Sequence, residues 1–419
     1  LIEELAAGFN GAKFKTSDGK RMRILAEPLS PEAMVLAAVE GRYQAVTPDS
    51  SLWLDRIDRT WARQRGEEAV LVGQTFRYAV SPVVIAMWEE VARSMGYPEQ
   101  AIGWRELLDR AREDAGFRWS HASTSTASGL LATLAQFYAG AGKTRDLSIE
   151  DAQAEATLAY VGAIQKTVRY YGEGETALIE RALAEGPAFL DAFVVQEQMV
   201  IHYNLNRGGG SRLVAIYPQE GTLWEDHPMA LLELPTLAPA DRQVFSRWMD
   251  YLQSDEAQAR ILELGYRPAD LSIPLDGPAS PFTPANGVDP RQPQTTLQVP
   301  SPGVVEVVRE AWWYTKRHTN VFLVVDVSGS MRGKKLSGAQ EALRVFLAAI
   351  AGDQEAVGLI QFATEVEETV PLAELSVNRS RIEAEIESLR AGGETSQWSW
   401  PTIACGSWGM RSASTPLWS

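Results

Sequence analysis

The sequence predicts an α/β fold in two domains, and three observations support this prediction. Short apolar segments alternate with amphipathic helical segments over residues 1–270, as in proteins whose helices cover mostly parallel sheets. Residues 271–302 are rich in Pro, Ser and Thr and lack helical periodicity, which is typical of an interdomain linker. A second series of strand and helix patterns occupies residues 303–396.

The composition excludes several classes of protein. The formal net charge is -15 and no dense Lys/Arg run is present, which argues against a nucleic-acid-binding surface. The single cysteine, Cys405, excludes an internal disulfide and a cysteine-based zinc site. No apolar run is long enough to span a membrane. Because the chain begins at Leu1, already within a helical pattern, we expect a fragment whose start, including any signal peptide, is missing.

The elements of the first domain follow from periodicity and from capping residues. "RMRILAE" and "YQAVTP" are interpreted as strands on either side of the helix "SPEAMVLAAVEG", which opens at Ser30-Pro31. "FRYAVSPVVIAMW" predicts a strand interrupted at Pro82, and "GFRWSHAS" predicts another strand. "GWRELLDRARE", "SGLLATLAQFYAG" and the long "ADRQVFSRWMDYLQSDEAQARILELG" predict amphipathic helices. The four histidines lack metal-ligand spacing, and His202 in "MVIHYN" is interpreted as a buried core residue.

Four segments in order carry a family resemblance: "VSPVVIAM", "IGWRELL", "HASTSTASGLLA" and "LVAIYPQEGTLWEDHPMALL". They resemble the type 2 periplasmic (extracellular) solute-binding proteins, in the branch that is fused to a von Willebrand factor A domain. The resemblance covers nearly all of residues 1–270. It implies two α/β lobes, joined by crossover strands, around a cleft that closes on a small ligand. Compared with the family pattern, this sequence lacks the first strand of lobe one and the loop after it, which usually contacts the ligand.

The candidate ligand-binding residues lie in loops where strands give way to helix N-termini, the place where open α/β sheets bind ligands. The loop "HASTSTASG" carries Ser123, Thr124 and Ser125 ahead of an apolar helix. Free backbone N–H groups and the helix dipole at such a position suit an anion or a polar oxygen. Helix capping is the alternative, but it accounts for only one hydroxyl. We therefore expect a small polar or anionic solute at this loop.

Further candidates each have a structural alternative; they are Ser50 and Ser51 (together with Asp49), Ser81, Tyr217 and Glu220. Ser50 and Ser51 either contact the solute or cap the following helix. Ser81 either faces the solute from the hinge strand or marks a strand break without function. Tyr217 and Glu220, in "YPQEGTLWEDHP", either reach the solute or belong to a simple turn.

The second domain opens with an apolar run followed by small oxygen-bearing residues. "NVFLVVD", residues 320–326, predicts a strand buried on both faces of a parallel sheet. Asp326, Ser328 and Ser330 then place three oxygen ligands on one loop. Mg²⁺ and Mn²⁺ bind several oxygens, and neutral hydroxyls leave the ion able to accept a partner's carboxylate. For this motif alone, a capped strand-to-helix turn is the alternative.

The segments that follow strengthen the metal interpretation and also limit it. With "SGAQEALRVFLAAI", a second strand and "NRSRIEAEIESLR" in order, the loop resembles the metal-ion-dependent adhesion site of a von Willebrand factor A domain. The resemblance implies Thr395 of "GGET" as a further ligand and a second Asp after the next strand. No Asp or Glu follows Thr395. We interpret the Trp-rich tail, residues 397–419, as a frameshift or mispredicted gene end, and we expect a weak, incomplete site.

Together these resemblances imply an exported bacterial binding protein of extracellular or cell-surface location, and not an enzyme. Its ligand is either a small solute in the cleft or a protein partner whose acidic side chain completes the coordination of the cation. The alternative is a non-ATPase subunit of a chelatase-type assembly, in which such A domains pair with an ATPase.

Overall fold

The computed structural model describes residues 1–66, 69–172, 174–270, 272–277, 280–316, 318–350 and 355–392. The chain divides into two compact units, Leu1–Arg317 and His318–Ser419. The helices of the first unit are α1 (Ile2–Ala12), α2 (Pro31–Val39), α3 (Leu52–Arg65), α4 (Glu89–Ser94), α5 (Trp104–Glu113), α6 (Ala127–Ala141), α7 (Ile149–Gln153), α8 (Glu155–Gln165), α9 (Glu175–Glu185), α10 (Glu197–Asn206), α11 (Pro239–Leu252), α12 (Asp255–Glu263) and α13 (Pro302–Thr315).

The strands of the first unit are β1 (Ala45–Val46), β2 (Val72–Arg77), β3 (Ala79–Trp88), β4 (Trp119–Ala122), β5 (Val168–Gly172), β6 (Ala192–Gln196), β7 (Leu213–Ile216), β8 (Trp224–Glu225), β9 (Pro228–Leu232) and β10 (Arg267–Pro268). The second unit contains β11 (Asn320–Asp326), α14 (Lys334–Ala349), β12 (Ala356–Phe362), β13 (Val366–Glu374) and α15 (Leu375–Ser388). In the described part of the chain, no helix reaches the length and apolarity that crossing a bilayer requires.

The first unit has two lobes. Lobe A contains the antiparallel sheet β1-β9-β2 together with α1, α2, α3, α11 and α12. Along β9, Met229 and Leu231 pack against α1 and α11, while Ala230 and Leu232 pack against α2 and α3. Successive side chains of a strand point to opposite faces, so this short sheet has an apolar core on each side.

Lobe B contains the strand order β10-β3-β6-β4-β5, with β7 and β8 also paired to β3. Val83 and Ile85 of β3 pack toward α5, α6 and α8, whereas Val84 and Ala86 pack toward α9 and α10. Strand β4 pairs parallel with β5 and β6, but β3 pairs antiparallel with all its neighbours. The prediction of mostly parallel sheets is therefore wrong, because β3 enters this sheet from lobe A rather than through a crossover helix.

The chain passes between the lobes along β3, between β8 and β9, and again between α12 and β10. Strand β3 begins at Ala79 in the core of lobe A and continues into the core of lobe B. Strand β8 pairs with Ser81 and Pro82 of β3, and the chain then enters β9 of lobe A. The predicted interruption at Pro82 is wrong: β3 is continuous and buried. Proline is accommodated because it lies between the residues that pair with β10 and those that pair with β6.

Three further local predictions differ from the structure. "RMRILAE" is not a strand, apart from an isolated bridge between Lys15 and Arg21. The long helix is two helices, α11 and α12, because the Ser254 hydroxyl accepts from the Ala257 N–H and starts a new one. His202 is exposed, since α10 buries the positions on either side of it and turns this residue outward.

The predicted linker, residues 271–302, differs most from the expectation. Phe282 and Val288 lie in the core of lobe B, and Leu297 is 3 % exposed. The Leu297 N–H donates to the carbonyl of Thr222 at 2.9 Å. Helix α13, predicted to start the second domain, packs on α6, α7 and α8 of the first unit. The described part of this Pro-rich stretch thus contributes buried apolar residues to the first unit. The boundary between the two units falls later, between Arg317 and His318.

In the second unit, β11 pairs parallel with β12, and β12 pairs antiparallel with β13. Leu323 and Val325 of β11 join a core formed with α14 and α15. Phe322 and Val324, on the opposite face, are 43 % and 55 % exposed. The prediction that β11 is buried on both faces is therefore wrong for the described residues, because both helices contribute to a core on the same face of the sheet. The Trp-rich tail, residues 397–419, lies outside the described residues.

Candidate solute-binding cleft

Four carboxylates lie together where the lobes meet, and we name Asp49, Glu175, Glu225 and Asp226 the acidic cluster. Asp49 precedes α3 in lobe A, and Glu175 is the first residue of α9 in lobe B. Glu225 ends β8, and Asp226 follows it in the crossing between the lobes. Burial raises the pKa of Glu225 well above its ordinary value, and the charges of the other three members raise it further. The four groups are therefore close enough to interact through space.

Glu225 is the most enclosed member of the cluster. Its side chain is 1 % exposed, and Oε2 has no hydrogen-bond partner among the described residues. Nε2 of His227 lies 4.0 Å from Oε2, which is too long for a hydrogen bond. A buried carboxylate oxygen without a partner is unfavourable, so this group is held in place by the surrounding fold.

Glu175 is fixed by Gln196. The backbone N–H of Gln196 donates to Oε1 at 2.7 Å, and its side-chain Nε2 donates to Oε2 at 2.9 Å. Burial raises the pKa of Glu175 although these hydrogen bonds lower it. The hydroxyl of Ser128, a residue that is 2 % exposed, approaches Glu175 closely enough to affect this pKa but does not complete a hydrogen bond. Glu175 therefore presents a fixed carboxylate beside an unsatisfied hydroxyl.

Asp49 and Asp226 are held from both sides of the junction. Trp53 Nε1 donates to Asp49 Oδ1 at 3.0 Å, and burial raises the pKa of this carboxyl. Asp226 accepts from the Ser51 N–H at 2.7 Å and from Arg77 Nε at 3.0 Å. Asp226 is thus the member of the cluster that has a basic side chain bonded to it.

His227 follows the cluster with a positive φ of 33°, a conformation that non-glycine residues rarely adopt. Its N–H donates to the carbonyl of Asp49 at 3.1 Å, which ties the crossing to the loop before α3. Burial lowers the pKa of His227 to about 3. The ring stands edge-on to Tyr266, with centroids 5.1 Å apart. At neutral pH this histidine supplies no positive charge to the cluster.

A cavity of about 730 Å³ is lined by Asp226 of the acidic cluster and by Ser51, whose N–H bonds Asp226. Arg77, Gln258 and Asp270 also line the cavity. Oε1 of Gln258 is buried and has no hydrogen-bond partner among the described residues. The volume is within the range of about 300–1,000 Å³ that is typical of small-molecule pockets.

In the hydroxyl loop before α6, one residue caps the helix and two others bond to each other. Thr126 caps the helix, because its hydroxyl accepts from the Gly129 N–H at 3.2 Å. Ser123 and Ser125 bond to each other instead, and Thr124 is buried. A Cβ on Gly129 would lie 2.1 Å from the carbonyl of Ser123, so the loop packs directly on the helix and requires glycine there. Helix α6 contacts β8, which places this end of lobe B next to the cluster.

Three predicted ligand-binding residues have their polar groups engaged in capping helices. The Ser50 hydroxyl accepts from the Leu52 N–H at 3.4 Å in the first turn of α3. The Ser81 hydroxyl is fully buried and accepts from the Gln198 N–H at 3.2 Å, at the start of α10. Glu220 accepts from the N–H groups of Trp104 and Arg105, at 3.1 and 3.2 Å, at the start of α5. These side chains satisfy helix termini, and the expectation that they face the solute stays a prediction.

Tyr217 also has a structural partner. Its hydroxyl donates to Glu197 Oε1, and Glu197 in turn accepts from Arg267 Nε and Nη2, each at 2.7 Å. The side chains of Glu197 and Arg267 are 0 % and 7 % exposed. Tyr217 is therefore part of a buried ion pair that ties α10 to β10, and not a member of the acidic cluster.

The metal-binding loop predicted in the second unit has a compact geometry. Asp326 Oδ1 accepts from the Ser328 N–H at 2.7 Å, and the hydroxyl oxygens of Ser328 and Ser330 are 3.0 Å apart. This is a hydrogen-bond distance, and it is also about the 3 Å that separates neighbouring ligands of an octahedral ion with metal–oxygen distances of about 2.1 Å. The Gly392 N–H donates to the carbonyl of Val327 at 2.9 Å. The start of "GGET" thus lies beside the loop, but Thr395 lies outside the described residues.

Sequence reasoning found only part of the candidate cleft. Asp49 and Ser51 follow a strand and precede a helix, which drew attention to their loop. Glu175 lies in a segment without a motif, and in "YPQEGTLWEDHP" no local signal favours Glu225 over Glu220. They become a candidate site only through the neighbours that the fold gives them.

Comparisons with known proteins bear on the family and the fold of the chain. A family model of the bacterial extracellular solute-binding proteins matches residues 9–267, and a model of the von Willebrand factor type A domain matches residues 321–397. No curated protein matches the sequence.

Similar solved structures include a Streptococcus pneumoniae solute-binding protein in complex with the blood group A-trisaccharide, with a TM-score of 0.52 and 11% identity over 74% of this chain and 89% of that one. A periplasmic thiamin binding protein has a TM-score of 0.51 and 11% identity over 75% of this chain and 91% of that one. An ABC transporter structure from Clostridium perfringens has a TM-score of 0.50 and 10% identity over 75% and 95%. At such identities the likeness establishes the fold alone, and it confirms the two-lobed fold implied by the resemblance. The chain belongs to the family of bacterial extracellular solute-binding proteins, and a von Willebrand factor type A region follows the solute-binding region in its sequence.

Proposed function

We propose that this chain is an exported binding protein that captures a small polar solute between lobes A and B and performs no chemistry on it. The observation that carries the proposal is the meeting of polar groups from both lobes and from the crossing between them at one junction. Asp49 belongs to lobe A, Glu175 to lobe B and Glu225 to the crossing. A solute that contacts all three favours the arrangement in which the lobes are closed around it, because it binds that arrangement more tightly.

Native mass spectrometry of the purified chain tests this proposal. We expect one small molecule per chain, which is lost when the protein is denatured and is then identified by its mass. The same chain, refolded without the solute, should gain thermal stability when the solute is returned, because a ligand that binds only the folded state stabilises it. A refolded chain that neither retains nor responds to any member of a broad solute library contradicts the proposal.

We further propose that the second unit binds Mg²⁺ or Mn²⁺ weakly through Asp326, Ser328 and Ser330 and uses the ion to hold an acidic side chain of a protein partner. The carboxylate supplies charge, and the two hydroxyls supply neutral oxygens about one octahedral edge apart. Because these groups fill only part of an octahedral shell, waters complete it until the partner binds. With only one carboxylate ligand, the bound ion keeps enough positive charge to attract the carboxylate of the partner.

Titration with Mn²⁺, followed by water-proton relaxation, tests the metal proposal. We expect weak binding by the natural chain and a loss of at least about 10-fold in affinity for Asp326→Ala, because removal of a metal's supporting groups costs about 10–100-fold and a direct ligand costs no less. Glu383→Ala is the matched control, since it removes an exposed carboxylate from α15 in the same unit. Equal Mn²⁺ affinity for Asp326→Ala and the natural chain contradicts this assignment.

A further inference from the structure

The negative charge at the junction of the lobes is not balanced by the protein. Among the described residues, no Lys or Arg side chain forms an ion pair with Asp49, Glu175 or Glu225. Arg77 is bonded to Asp226 and its side chain is 65 % exposed. The cluster therefore contains carboxyl groups that no basic side chain of the described residues neutralises, in a largely enclosed place.

Buried polar atoms beside this charge also lack partners. Glu225 Oε2 belongs to a side chain that is 1 % exposed, and it has no hydrogen bond within the described part of the chain. The Ser128 hydroxyl, on a different element and without charge, is likewise buried and unbonded next to Glu175. Protein interiors rarely leave such atoms unsatisfied, because each costs about 1–3 kcal/mol of desolvation. Both atoms are satisfied if a ligand supplies hydrogen-bond donors between lobe B and the crossing.

The chemistry of these groups selects the sign of the ligand's charge. The carboxylates offer only acceptor oxygens while ionised, and the Ser128 hydroxyl offers an additional acceptor. An anion at this point meets like charges, which raises its energy, whereas a cation with N–H groups meets both opposite charge and acceptors. This reverses the anionic part of the expectation that the helix N-terminus of "HASTSTASG" suggested.

The spacing of the carboxylates favours an organic cation over a metal ion. In the described ranges, no group of three or more His, Cys, Asp or Glu side chains is arranged to hold one metal ion. The cluster members interact through space but are distributed over α9, β8 and the loop before α3. A metal ion needs its ligands at about 2.0–2.6 Å from one point, whereas N–H groups of one organic molecule reach acceptors at separate points.

We propose that the solute of this cleft is an organic cation with at least one ammonium group, bound by Glu225 and flanked by Asp49 and Glu175. The inference rests on the proposed function of the cleft and names its ligand class. Since the three carboxylates come from lobe A, lobe B and the crossing, the bound cation links the two lobes. The same cation also relieves the repulsion among the carboxylates, so binding and closure favour each other.

The pH dependence of binding follows from the same groups. Burial raises the pKa of Glu225, Glu175 and Asp49, so these carboxyls hold protons at higher pH than free carboxyls do. The cation binds the ionised forms and displaces those protons, so its affinity increases as pH rises through the raised values. His227 is neutral above its lowered pKa, so it does not oppose this trend near neutral pH.

Isothermal titration calorimetry of the whole chain, refolded without solute, tests the inference with defined probes. The probes are 1,4-diaminobutane and spermidine as organic cations, 1,4-butanediol and succinate as neutral and anionic analogues, and Mn²⁺ as a metal. We expect an ammonium probe to bind, with higher affinity at pH 8 than at pH 6 and with proton release. Glu225→Gln should weaken this binding at least 10-fold and leave the melting temperature of the ligand-free chain equal or higher, because it removes an unbalanced buried charge.

Matched variants keep the test decisive. Glu180→Gln, an exposed position on the same helix as Glu175, should change neither binding nor the melting temperature. If Glu225→Gln does not fold, Glu175→Gln and Asp49→Asn replace it, each with the same expected loss of binding. Binding of 1,4-butanediol or succinate in place of the ammonium probes overturns the inference but leaves the proposed solute-binding function standing. Binding of Mn²⁺ that Glu225→Gln abolishes, or failure of every ammonium probe to bind, also overturns it.

Discussion

Arg267→Met should lower the free energy of unfolding of the first unit by about 3–5 kcal/mol, the usual cost of removing one partner from a buried ion pair. Both oxygens of Glu197 accept from Arg267 at 2.7 Å, and the Glu197 side chain is 0 % exposed. Without the guanidinium, Glu197 remains as a buried carboxylate whose remaining donor is the Tyr217 hydroxyl. Chemical denaturation followed by far-UV circular dichroism measures the change.

Two further variants separate burial from charge in this experiment. Arg260→Met removes an arginine that bonds Glu4 and Glu263 on the surface, and it should cost no more than about 1 kcal/mol. Glu197→Leu combined with Arg267→Met should be less destabilising than Arg267→Met alone, because no charge is then left buried. Equal losses for Arg260→Met and Arg267→Met would show that the pair is not buried in solution.

Trp312→Ala should destabilise the first unit by about 3–5 kcal/mol, the range for truncating a large buried aromatic residue. Trp312 lies in α13 and is 2 % exposed. Its Nε1 donates to Gln165 Oε1 at 3.1 Å, and its ring stands edge-on to Tyr171 with centroids 5.2 Å apart. Truncation therefore opens a cavity and removes a buried hydrogen bond at once. Differential scanning calorimetry should show the loss in the transition of the solute-binding unit.

The neighbouring tryptophan is the control. Trp313 is 41 % exposed, so Trp313→Ala should change the same transition by less than about 1 kcal/mol. This pair also tests where the first unit ends. If Trp312→Ala leaves the transition of the solute-binding unit unchanged and shifts only that of the second unit, α13 belongs with the second unit, as the sequence pattern suggested.

Local patterns were sufficient wherever the decisive neighbours are close in sequence. "GWRELLDRARE" predicted α5, Trp104–Glu113, because its apolar residues repeat with the helical period. The alternation of Asp326, Ser328 and Ser330 predicted a loop of convergent oxygens, and the observed bonds join residues two positions apart. The family resemblance supplied the two lobes, which follow from the order of such elements and not from any one of them.

Long-range pairing determined what local patterns could not. The hydroxyl of Ser81 and the carboxylate of Glu220 have the residue types of ligand contacts, but each bonds the N-terminus of a helix distant in sequence. The Pro-rich stretch has the composition of a linker, yet Leu297 is buried because Thr222 lies beside it in the fold. Composition describes which bonds a residue can make, whereas the fold determines which bonds it does make.

The sequence by itself determined the order of strands and helices, the residue types in the metal loop and the family of the chain. Only the tertiary structure decided that Asp49, Glu175 and Glu225 share one enclosed place. The physical reason is that periodicity and capping act over a few residues, while electrostatic energy depends on distance and burial in space. A carboxylate in a segment without a motif becomes a candidate ligand contact only when the fold removes its water and places other carboxylates beside it.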